Sequence, residues 1–149
     1  MYEITIQRQV KSDALPSPAR FRRWALAVLK AHVFAAEITI RITDAIEMAE
    51  LNQKWRHKKG PTNVLSFPLE VPKKGEKSPL IGDIVICLEV ILREAAEQHK
   101  TPETHFAHMV VHGILHLIGF DHENTSDAET MEAEEIHILK TLGFKNPYQ

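Results

Sequence analysis

HGILHLIGFDHEN, residues 112–124, sets histidines at 112, 116 and 122 within an otherwise apolar run. Its first half has helical spacing. Met109, Val110, Val111, Ile114, Leu115, Leu117 and Ile118 make such a helix apolar on nearly every side, so it belongs in the interior. Residues four apart on a helix share a face, with Cβ atoms roughly 5–6 Å apart, which sets His112 beside His116. Gly119 can take the left-handed conformation that ends a helix and reverses the chain, and His122 then returns toward the other two. Burial penalises imidazoles that lack partners, and one metal ion satisfies all three. With nine histidines and six glycines in 149 residues, the pattern arises by chance with a probability on the order of one in a thousand. Three imidazoles without a thiolate suit zinc, with the fourth tetrahedral position left for water as in catalytic sites. The expected ligands are therefore His112, His116 and His122, holding one Zn2+ per chain.

On the C-terminal side SDAETMEAEEIHILKTLG reads as a helix, with Ser126 and Glu129 as its capping box and Gly143 as its stop. On the N-terminal side LEVILREAAEQHK is helical, and a restart at Thr101-Pro102 leads into the histidine stretch. YEITIQRQ alternates as a first strand. Ser17 caps a helix with Pro18 in its first turn, and Phe21, Trp24, Ala25, Val28 and Leu29 recur at helical spacing. EITIRIT, residues 37–43, is a second strand. Asp44 caps the next helix, with Glu47 at the capping-box position and Ile46, Met48, Leu51 and Trp55 as core contacts. RHKKGPTN is a loop, VLSFPLE a strand that Pro68 marks as edge or bulged, VPKKGEKSP a flexible basic connector and LIGDIVIC a buried strand. The order β-α-β-α-β-β-α-α-α predicts an α+β fold. One domain spans 1–149, a small mixed four-stranded sheet packed by about five helices, among them a metzincin-like zinc-binding helix.

A composition of 44% hydrophobic and 26% charged residues excludes collagen-like, disordered and membrane classes. No apolar run reaches the roughly 18 residues of a membrane span, and the N-terminus lacks the layout of a secretory signal, so a cytoplasmic protein is expected. Cys87 stands alone, which rules out an intramolecular disulfide and a cysteine-based zinc cage. It reads as a small buried hydrophobe. Charge is divided along the chain: residues 1–77 carry 14 Lys/Arg against 8 Asp/Glu, and residues 78–149 carry 4 against 12. Such asymmetry points to a polyanionic partner for the basic part.

The spacing H-x3-H-x2-G-x2-H is that of metzincin metalloproteases. Gly113, however, stands where a zinc peptidase carries its general-base glutamate, so peptide hydrolysis by that route is disfavoured. HGILHLIGFDH also resembles the signature HGxLHLxGyDH of the YbeY family of bacterial rRNA maturation factors, described as zinc-dependent single-strand endoribonucleases. RHKKGPTNVLSFP, residues 56–68, is similar to that family's second hallmark, an arginine followed by PTDVLSFP, with Asn63 where aspartate is usual. GDI at 82–84 matches as well, and the resemblance covers nearly the whole chain in the same order. It implies zinc ligands at His112, His116 and His122, a functional Arg56, and a cleft above the metal.

The function expected from this resemblance is a zinc-dependent endoribonuclease in rRNA maturation, acting at the 3′ end of small-subunit rRNA and in ribosome quality control. Single-stranded RNA, the small ribosomal subunit and its assembly proteins are the expected partners, with no membrane. Arg56, as a phosphate clamp, and His116 are the expected catalytic residues, with His57, Lys58 and Lys59 adding attraction for the RNA backbone. Asp121 and Glu123, beside His122, are read as supporting or exposed residues. His57, His99, His105, His108 and His137 are read as surface or ordinary core residues, with His108 on the helical face of His112. The alternative is a metal-stabilised ribosome assembly factor without significant nuclease activity.

Overall fold

In the computed structural model, which describes residues 1–69 and 80–149, the strands β1 (Tyr2–Arg8), β2 (Ala36–Thr43), β3 (Val64–Pro68) and β4 (Leu80–Cys87) form one sheet. The connector VPKKGEKSP lies outside the described residues. The strand order is β1-β2-β4-β3. β1, β2 and β4 run parallel, with Ile4 opposite Ile38 and Ile40 opposite Ile84, whereas β3 is antiparallel to β4, with Ser66 opposite Ile84. Pro68 thus sits on an edge strand, where a missing N–H removes no interior ladder bond. The helices are α1 (Pro18–His32), α2 (Ala45–Arg56), α3 (Leu88–Glu97), α4 (Pro102–Leu117) and α5 (Thr125–Thr141). The sheet and the helices match the sequence expectation.

Alternation along the strands divides the core in two. Ile38, Ile40, Ile42, Ile84 and Ile86 point to one face and pack on α1, α4 and α5 through Phe21, Leu29, Phe106, Ile114, Met131 and Leu139. α4 is the central helix of that layer, buried from His105 to Val111 on all sides. The other face is covered at one end only, by α2, where Met48 packs on Leu65, Val85, Cys87 and Val90. Beyond that end Ile46 and Trp55 project into solvent, 73% and 58% exposed. The expected core role for these two is therefore wrong: Ile46 is about 200° around the helix from buried Met48 and so on the opposite face, whereas Trp55 shares the face of Met48 but lies in the last turn, where Phe67 covers only part of it.

The caps follow local chemistry. Ser17, Asp44 and Thr101 accept hydrogen bonds from the amides of Arg20, Glu47 and Thr104. α5 begins earlier than expected. Asn124 Oδ1 accepts from the Asp127 amide at 2.8 Å, so Ser126 lies inside the first turn and its capping box with Glu129 does not form. Glu47 departs from the capping box too. Its carboxylate forks onto Arg41 at 2.7 and 3.0 Å and accepts from Thr43 Oγ1 at 2.6 Å, tying the start of α2 to β2.

Two glycines set the approach of α4 to the sheet. At Gly82 φ is +144°, and a Cβ would collide with the Phe67 carbonyl and Leu117. At Gly113 a Cβ would lie 3.2 Å from the Cγ2 atoms of both Val64 and Ile84. The position that carries a glutamate in zinc peptidases is here pressed against the sheet.

Candidate metal centre

α4 carries His112 and His116 one turn apart, and Gly119, at φ +107°, reverses the chain so that His122 approaches the same point. One ligand-type nitrogen from each ring lies within 4.8 Å of the other two, and no fourth such group joins them among the described residues. His112 Nε2 and His116 Nε2 are 3.2 Å apart. Two imidazole nitrogens bound tetrahedrally at roughly 2.0–2.1 Å stand about 3.3 Å apart, so the rings fit a zinc-sized ion. Burial, reinforced by His112 and His122, holds the His116 imidazole below its ordinary pKa. It is therefore neutral at pH 7, the form that coordinates a metal. Asp121 Oδ1 accepts from the His122 amide at 2.7 Å and shapes the returning turn.

Behind His112 lies a carboxylate that the sequence reading missed. Glu135, 1% exposed, accepts from His112 Nδ1 at 3.0 Å through Oε1. Its Oε2 accepts from His108 Nε2 at 2.5 Å and from the Tyr148 hydroxyl at 2.8 Å. Burial opposes the negative charge, but the hydrogen bonds and charges of His108 and His112 outweigh it and carry the pKa down to about 2. An ionised carboxylate accepts only, so Nδ1 of His112 carries the proton and Nε2 keeps its lone pair for the metal. Burial and Glu135 push the Tyr148 hydroxyl up, which keeps it a donor.

His105 and His108 are buried, as expected of core histidines, and each is held by a carboxylate that the sequence reading did not identify. His108 shares Glu135 with His112, and His105 Nε2 bonds Glu94 Oε1 at 2.9 Å. Glu94 also accepts from Asn63 Nδ2 at 3.0 Å, which anchors the loop ahead of β3. One signal could have found Glu135: it occupies a position in the apolar stripe Met131, Ile138, Leu139 of α5, where an unpartnered charge is not tolerated.

A cleft of about 500 Å³ opens over the cluster, lined by His112, His116, His122, Arg56, Asn63 and Ser66 among others. Ser66 Oγ donates to the Gly113 carbonyl at 2.9 Å, fixing the edge strand to the metal helix. Arg56 is the exposed last residue of α2 and reaches the cleft wall. The α2 terminus is held by His57 in a left-handed conformation, φ 56°, and by Asn52 Nδ2 donating to the Gly60 carbonyl at 2.8 Å. Lys58 and Lys59 are exposed and do not line the cleft; Asp121 and Glu123 do.

A helix-borne histidine pair, a third histidine after a glycine turn and an open cleft define the class of metal-dependent hydrolases. Comparison with known proteins narrows it. Residues 5–143 match the family model described as Endoribonuclease YbeY, and the chain belongs to that family. It is 54% identical to the Endoribonuclease YbeY of Methylococcus capsulatus, covering 100% of this chain and 97% of that one. It is 48% identical to the Nitrosococcus oceani protein of the same name, covering 98% and 96%. A protein of Thermotoga maritima known from its solution structure aligns with a TM-score of 0.61 at 25% identity, covering 95% of this chain and 91% of that one.

Proposed function

We propose that the chain is a zinc-dependent endoribonuclease that cuts single-stranded RNA in the maturation of the small-subunit rRNA 3′ end and in ribosome quality control. The small subunit and its assembly proteins in the cytoplasm are its setting. The observation that carries this reading is the convergence of His112, His116 and His122 on one point of a cleft whose wall includes Arg56. Zinc bound there supplies Lewis-acid polarisation of a phosphoryl oxygen and lowers the pKa of water toward ~7.

The chain's own residues do the rest. Arg56 presents a planar fork that matches two phosphate oxygens and offsets charge developing in the transition state. His57, Lys58 and Lys59 raise the local concentration of a polyanion without reading bases. Glu135 holds His112 in the coordinating tautomer, and Asp121 positions the backbone of His122. A Cβ at Gly113 would crowd Val64 and Ile84, and the chain lacks the peptidase glutamate there, consistent with a substrate other than peptide.

The test is cleavage of a defined single-stranded RNA by nuclease-free, zinc-loaded protein. Arg56→Ala should keep its zinc and lose about 10²–10³ in kcat, the usual cost of one preorganised charge-stabilising group. His116→Ala should lose both zinc and cleavage. Zinc-loaded protein that binds the small subunit but leaves RNA intact would favour the assembly-factor reading instead.

A further inference from the structure

We propose that the cleft on the opposite face of the sheet is a second RNA subsite, in which one base of the strand cut at the histidine cluster stacks on Trp55. The inference rests on the reading that RNA is the substrate.

The cleft measures about 750 Å³ and shares Arg56, Leu65, Ser66 and Pro68 with the metal cleft. Its size falls within the roughly 300–1,000 Å³ of small-molecule sites. β3 is therefore a ridge between two depressions, with Arg56 facing both. A chain held by its phosphate at Arg56 has one continuation into the metal cleft and another toward Trp55.

The second depression is built for an aromatic, uncharged guest. Trp55 and Leu69, 58% and 50% exposed, belong to the small set of large apolar side chains left in solvent, and both line it. Exposed apolar surface concentrated at a cleft marks a binding site more than scattered exposure does. Phe67 meets the indole edge-on, centroids 6.1 Å apart at 73°, and braces it. Lys54 Nζ lies over the indole ring, 5.1 Å from its centre, a flexible cation that a base stacking on that face displaces toward its own phosphate. Platform plus flanking cations is the general design of single-strand binding sites, because every base has a π-face and every linkage a charge.

The floor sorts base from backbone. Gln7 and Thr39 are polar, the Glu47 carboxylate is neutralised by the fork of Arg41, and Asp83 is left as an exposed carboxylate. The Asp83 carboxylate repels a phosphate and accepts from base amino and imino groups. The base enters and the phosphates stay on the side of Lys54 and Arg56.

The experiment measures binding and steady-state cleavage of single-stranded RNA long enough to span both clefts. Trp55→Ala should weaken Kd and raise KM by roughly five- to 150-fold, the range for one stacked base, with the loss falling there rather than on kcat. Trp55→Phe should restore most of it, and it keeps the proposal testable if the alanine variant misfolds. RNAs carrying a single 2-aminopurine should show one position whose fluorescence falls on binding, and that drop should vanish in Trp55→Ala. Wild-type cleavage with unchanged affinity in Trp55→Ala would overturn the subsite and leave the nuclease reading standing. Unchanged RNA affinity in Trp55→Ala with loss of a ribosomal protein contact would assign the cleft to protein and overturn the base subsite. Failure of the wild type to bind RNA at all would overturn both.

Discussion

Replacing Glu135 by glutamine keeps shape and volume but removes one of the two oxygens that accept from the donors around it, among them the metal ligand His112. Three donors converge on the carboxylate: His108 and Tyr148 on Oε2, His112 on Oε1. Glutamine has one carbonyl oxygen, and the pair of donors at the Oε2 position favours placing it there. The amide NH₂ then faces His112 Nδ1, which must give up its proton and move it to Nε2, the nitrogen that faces His116. A protonated Nε2 cannot coordinate. Loss of such a partner behind a metal-bound histidine costs about 10–100-fold in metal affinity, or about 1.4–2.7 kcal/mol. Zinc Kd measured by chelator competition should rise by that factor in Glu135→Gln, with circular dichroism unchanged. A folded Glu135→Gln variant with wild-type zinc affinity would refute the tautomer argument.

Three further outcomes follow from the same contacts. Gly113→Ala sets a Cβ 3.2 Å from the Cγ2 atoms of Val64 and Ile84, an overpacking cost of about 1–3 kcal/mol set against about 1 kcal/mol of helix propensity gained. Stability in urea unfolding should therefore fall by no more than about 2 kcal/mol; a clear gain in stability would mean that the helix is not pressed on the sheet. Asn63→Asp should set a second carboxylate against Glu94, 3.0 Å from the present amide nitrogen, lowering stability near neutral pH by about 1–3 kcal/mol, with recovery in acid as one of the two protonates. The metal-free protein should lose stability as pH falls from 4.5 toward 2: the pKa of Glu135 drops from 4.5 to about 2 on folding, so its contribution is complete above 4.5 and gone below the folded value. Glu135→Gln should lack that part of the acid transition in thermal melts.

Local signals carried much of this structure. The caps at Ser17, Asp44 and Thr101, the strand alternation and the Gly119 turn depend on neighbours in sequence, and each forms as the pattern implies. Three histidines at fixed spacing around one turn likewise define their own geometry. What escaped depends on distant parts of the chain. The exposure of Trp55 is set by what lies under the last turn of α2, and the role of Glu135 by the packing of α5 on α4; the exposure of Ile46 was within reach of the sequence, since it is half a helical turn from Met48. The start of α5 was a local contest, in which Asn124 prevailed over Ser126 because Asp127 places an amide within its reach.

Metal-dependent chemistry at the three imidazoles is tested most directly by a zinc titration of metal-free, nuclease-free protein against a fluorescent single-stranded RNA. Cleavage should rise from zero, saturate at one ion per chain and stay absent in His116→Ala. Full cleavage before any metal is added, or none at saturation, would contradict it.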